Sequence, residues 1–241
     1  MTCLLGMGLV AMSTVGLAGT HVDAVADAAN AFLDSLSDTQ RSTVLVPLDS
    51  DERATWSNLP IIMVRPAGLL IRDMNDEQKR AAHALMRATM SSQGYAKFAG
   101  IMLLEDLLYR METEAFEFDE ARRNDPVAKA FIESRHYGNY ALAVFGDPGD
   151  ENWGWKIAGH HAAVNFTISG GNVGFTPTFL GSNPMEVRSG RYAGLMALAH
   201  EGDAGIALMR SLNDRQQKKA LISDQAVNDV FEGPGRRNSL K

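Results

Sequence analysis

Apolar residues recur at helical spacing from Ala24 to Leu36 and again from Asp76 to about Phe116, the second run being interrupted around Ser91, Ser92 and Gly94. The first half of the chain therefore reads as helical. Three segments carry the signature of a helix start: LSDTQR from Leu36, MNDEQK from Met74 and LNDRQQ from Leu212. In each, Ser37, Asn75 or Asn213 is placed to cap exposed amides, while Gln40, Gln78 or Gln216, three residues on, reaches back to the cap's own amide. The residues beyond the three caps differ from one another and the spacing is irregular, so recurrent capping accounts for the similarity better than an internal repeat. Between the first two helical runs, LPIIMVRPAGLLI is β-branched and punctuated by proline, which predicts extended chain crossing the core. Asp125 and Pro126 start a further short helix.

From Asn139 the period changes. YALAVFG, KIAGHHAAVNFTI and VGFTPTFLG, divided by the polar turn DPGDEN and by Gly170 and Gly171, predict three meandering antiparallel strands. Helical spacing returns from Tyr192 to about Asp229, and the last residues, 231–241, have the composition of a disordered tail. These patterns predict a single α+β domain over residues 25–230, its helical N-terminal half and C-terminal helices packed on a small antiparallel β-meander.

The first nineteen residues, MTCLLGMGLVAMSTVGLAG, carry no charged side chain. The run is too short and too rich in small residues for a membrane span, and it has the texture of a secretory leader lacking its basic start. The expectation is a leader over residues 1–24, cleavage between about Gly19 and Val25, and a secreted or periplasmic protein. The alternative is a cytoplasmic protein with a buried N-terminal helix. Cys3, the single cysteine, falls inside that segment, so the mature chain would hold no thiol. A net charge of -6 among 241 residues leaves no broad basic surface, which argues against nucleic acid as a partner.

Several segments together, WSNLP at Trp56, AVFGDPG, WGWKIAGHH with Asn165 beyond it, PTFLGSNP and SLNDRQQKKAL, resemble an uncharacterised family catalogued as domain of unknown function 3500, over about residues 31–223. The resemblance implies the domain boundaries and draws attention to the histidine pair. It implies no activity.

The chemistry worth weighing is concentrated in WGWKIAGHHAAVNFTI. In a regular strand, neighbouring side chains point to opposite faces, so His160 would join the core face with Ala162, Val164, Phe166 and Ile168, while His161 would share the other face with Asn165 and Thr167. On that parity His161 is the candidate acid or base, with Asn165 to hold a substrate carbonyl or fix the ring tautomer. If the backbone bulged at Gly159, both imidazoles could reach one divalent transition metal. A third ligand would then come from elsewhere, with His136, Glu105, Glu133 and the group His200, Glu201 and Asp203 as the candidates. Two functions are in view: an enzyme using the histidine pair as acid, base or metal ligands, or a small-molecule or peptide binding protein with Trp153 and Trp155 as an apolar wall and Thr167 beside them. No GxSxG, GxxxxGK, GxGxxG or HExxH pattern occurs in the body of the chain.

Overall fold

The computed structural model describes residues 15–225, with side chains from residue 21. Helix α1 (Val15–Asp34) leads into α2 (Asp38–Val44) and the two-residue strand β1 (Leu45–Val46). After a long irregular segment come β2 (Leu69–Leu70), α3 (Asp76–Thr89), α4 (Ser92–Phe118) and α5 (Pro126–Glu133). Strands β3 (Ala141–Phe145), β4 (Asn152–Gly159), β5 (Ala162–Ser169), β6 (Asn172–Gly174) and β7 (Thr178–Leu180) come next, and then α6 (Ala199–Ser211) and α7 (Asp214–Ala220). No helix among the described residues is long and apolar enough to cross a membrane.

The helix starts form as their sequences require. Ser37, Asn75 and Asn213 each close a full capping box with the glutamine three residues on, and Ser91 caps α4 where the helical pattern breaks. Two of these boxes are joined: the Gln40 and Gln78 amides donate to each other's oxygens, at 3.2 and 2.8 Å, and reach on to the carbonyls of Asp73 and Ser35.

The sheet is mixed. β3, β4, β5 and β6 run as an antiparallel meander, β1 lies parallel to β3, β2 pairs β3, and β7 returns to β5. One face carries Leu142, Val144, Trp153, Trp155, Ile157, Val164, Phe166 and Ile168, which join Phe32 and Leu33 of α1, Leu85 and Met86 of α3 and Phe98 and Ile101 of α4 in the main core. At about 25 cal/mol per Å² of apolar surface, the two buried tryptophans contribute more to this core than any other pair of side chains. The opposite face, with Ala143, Phe145, Lys156, Ala163 and Asn165, is buried as well, because the irregular segment before β2 and the chain entering β7 cover it.

Two expectations are corrected. LPIIMVRPAGLLI does not cross the core: residues 61–63 form a turn, Ile62 and Met63 are more than half exposed, and only Leu69–Leu70 is strand. Pro60 and Pro66 break the ladder on both sides of an apolar run that has no strand to pair with. At the other end, the helical chain expected from Tyr192 begins only at Ala199 and is divided at the expected cap Asn213 into α6 and α7, neither of which buries a residue. The expected leader over 1–24 falls largely outside the described side chains, and the expected tail, 231–241, wholly outside the described residues.

Candidate metal centre

Only His160 and His161 separate β4 from β5. The stretch that reads as one strand is a hairpin, so the alternation that placed His160 and His161 on opposite faces does not hold. His161 takes φ 64°, alone in the left-handed region among the described non-glycine residues, and histidine is one of the side chains enriched there. The turn brings the two rings together, their centroids 3.5 Å apart and their planes at 31°.

The break comes not as a bulge at Gly159 but in the turn after it. Gly159 serves clearance instead: a Cβ there would stand 2.6 Å from the Tyr140 ring. Tyr140 donates its hydroxyl proton to the His160 carbonyl. The His161 amide donates to the Asn58 carbonyl at 3.2 Å, and the Gly181 amide donates to the His161 carbonyl at 2.7 Å. The hairpin end is therefore tied to the strand before it, to the irregular segment and to the chain after β7.

Facing the two rings is Glu105. It lies in the buried stripe of α4, with Ile101, Met102, Leu104 and Leu108, and its side chain is 2% exposed. One carboxylate oxygen accepts from His160 Nδ1 at 2.8 Å and the other accepts from His161 Nδ1. An ionised carboxylate can only accept, so the Nδ1 atom of each imidazole is the donor here. Burial acts to raise the Glu105 pKa, but the hydrogen bonds from His160 and His161 together outweigh it and hold the carboxyl below its ordinary range. Burial lowers the His160 pKa against the raising pull of Glu105, which keeps this ring neutral and able to donate electrons near pH 7.

An ion pair lies close to this group. Arg135 and Glu112 are 2.8 Å apart, although neither atom makes a well-directed hydrogen bond. Burial raises the Glu112 pKa, Arg135 opposes it, and the charge of Glu105 adds to the rise.

Glu105, His160 and His161 each present a ligand atom, and these atoms lie within 4.8 Å of one another. Metal–nitrogen and metal–oxygen bonds of about 2.0–2.2 Å place neighbouring ligand atoms roughly 3 Å apart, so an ion held by all three would take the place of the Nδ1 protons between the rings and the carboxylate. Two imidazoles and a carboxylate suit zinc or iron(II) and leave coordination positions for water or substrate. His161, with 19% of its side chain exposed, is the open side. A cavity of about 500 Å³ between α4 and α5 is lined by residues such as Phe116, Arg122 and Phe131 and by none of the three.

A sequence model of the family described as protein of unknown function, DUF3500, matches residues 18–241. The chain belongs to this family. The DUF3500 match takes in all three residues of the centre and the elements that carry them. Comparison with curated proteins finds no match, and comparison with solved structures finds none.

Of the candidate third ligands in this DUF3500 chain, the fold delivers Glu105. His136 Nδ1 accepts from the Gly138 amide at 3.0 Å, Glu133 accepts from the Tyr109 hydroxyl at 3.1 Å, and Glu201 pairs with Lys97. Asn165 donates to the Pro177 carbonyl at 2.7 Å rather than supporting His161. Trp153 and Trp155 have no exposed surface, and Trp155 stacks on Phe166 at 4.6 Å. They are core rather than the open wall expected of a ligand site. The signal for Glu105 was in the sequence: an acid on the apolar stripe of a helix is buried, and a buried acid needs partners.

Proposed function

We propose that this protein is an enzyme that holds one divalent transition-metal ion between Glu105, His160 and His161 and uses it on a small substrate approaching past His161. The observation that carries the reading is the convergence of three ligand atoms within 4.8 Å, from a helix and a strained hairpin turn that are 55 residues apart in the chain. A left-handed histidine costs backbone energy, and such strain gathers at functional sites. Zinc or iron(II) at this centre would act as a Lewis acid or activate a bound water. The uncharged apolar start of the chain supports a secreted or periplasmic location, which is part of the same proposal.

The test is elemental analysis of untagged protein purified from its native compartment. About one zinc or iron per chain is expected, with loss of the metal in Glu105→Gln and in His161→Gly. Metal-free protein that gains no thermal stability from added zinc, iron, manganese or copper would overturn the reading.

A further inference from the structure

Around two of the three capping boxes the likeness runs beyond the cap itself. With Ser37 set against Asn213, FLDSLSDTQRSTVLV (residues 32–46) stands against LMRSLNDRQQKKALI (residues 208–222), with apolar residues matched at both ends. The helices α2 and α7 that follow these caps are each seven residues long. The matched residues nevertheless meet different surroundings. Phe32, Leu33 and Val44 are buried in the core, and Leu45–Val46 joins the sheet as β1. Their counterparts Leu208, Met209, Leu221 and Ile222 are exposed, Leu208 and Ile222 at 63% and 69%. Gln217 Nε2 donates to the Met209 and Leu212 carbonyls at 3.0 Å and fixes the corner between α6 and α7. Helices of 13 and 7 residues that bury nothing are still marginal in water. The arm is thus built like a unit that packs, without a seat among the described residues of its own chain.

A groove of matching character lies between α4 and α5. Its walls carry Phe116, Val127 and Phe131, with Glu112, Asp119 and Asp125 around them, and Phe118, Val127 and Phe131 are exposed. Residues 112–125 hold six acids against Arg122 and Arg123, whereas residues 208–222 hold Arg210, Arg215, Lys218 and Lys219 against Asp214. One chain therefore displays two apolar surfaces of opposite charge, and complementary charge on exposed apolar patches is the mark of a protein contact.

We propose that the α6–α7 arm of one chain docks in the α4–α5 groove of a second copy, each chain giving its arm and receiving the other's. Reciprocal exchange closes the pair as a two-fold dimer, whereas one-way docking would run on into a filament. Glu105, His160 and His161 line neither surface, so the inference does not rest on the metal reading.

Light scattering on the full chain, eluted from a sizing column at about 100 μM, should give a dimer that weakens about tenfold as salt rises from about 0.05 to about 0.5 M. Reversing the arm (Lys218→Glu with Lys219→Glu) or the groove (Glu117→Lys with Glu120→Lys) should each give a monomer. All four side chains are exposed, so the near-UV circular dichroism of the buried Trp153 and Trp155 should be unchanged in both. Mixed together, the two monomeric variants should form a dimer again, since each then offers an arm that suits the other's groove. A monomeric wild type would overturn the proposal. So would a dimer that survives reversal of the groove, which would mean that the arms pair with each other, or a failure of the mixed variants to associate.

Discussion

Tyr140 lies so close to Gly159 that a methyl group on the glycine would stand 2.6 Å from its ring, and its hydroxyl reaches one residue further to the His160 carbonyl. The ring is fully buried and packs edge-on to Phe98 of α4, so it has nowhere to retreat. Gly159→Ala should therefore cost about 1–3 kcal/mol and loosen the histidine turn with it. Tyr140→Phe should keep the packing and lose only the buried hydrogen bond, about 1–3 kcal/mol. Urea unfolding of both variants, with zinc titrations alongside, checks this; wild-type stability in Gly159→Ala would show that the contact relaxes freely.

His161 combines a strained backbone with a ring proposed to hold the metal, and two substitutions separate them. His161→Ala and His161→Gly both remove the imidazole, but only the glycine adopts φ 64° without cost. The glycine variant should be more stable than the alanine variant by about 1 kcal/mol, and both should fail to retain metal. Paired thermal melts decide the first point and metal analysis the second. Equal melts would mean that the turn rearranges when the ring is gone.

The Gln40 and Gln78 amides bind each other as well as their own helix caps. Each alanine substitution should cost about 1 kcal/mol or more, because a cap and a tertiary contact are lost together. The double variant should cost less than the sum of the two, with a coupling of about 0.5 kcal/mol or more. Additive losses in a double-mutant cycle would reduce the amide pair to coincidence.

His83 has its pKa lowered, first by burial and then by the nearby Arg87 charge, and its Nδ1 lies 3.1 Å from the Tyr95 hydroxyl. A pKa below the unfolded value of about 6.5 means that the unfolded chain binds more protons there. Stability from this residue is thus fully present above about pH 6.5 and declines as pH falls through the folded pKa. Urea midpoints measured from pH 8 downward should fall less steeply in His83→Gln than in the wild type; a steeper fall would reverse the assignment.

The sequence by itself determined the elements whose causes are local. Cap residues and their glutamines placed three helix starts, the break at Ser91 divided α3 from α4, and the DPGDEN and glycine-pair turns bounded the sheet, because each depends on side chains within a few residues of the backbone they satisfy. The pairing of the two capping boxes lay beyond that reach, as did the parallel addition of β1 to β3. The centre itself was half legible: the histidine pair and Glu105 stand out as residues, but a hairpin turn without glycine, asparagine or proline leaves no turn signal in its two residues, and strand parity then assigns the rings to opposite faces. Tertiary structure decided otherwise because Tyr140, Asn58 and Gly181 hold the turn from three sides, and because α4 brings a carboxylate into the core that only paired donors can keep ionised.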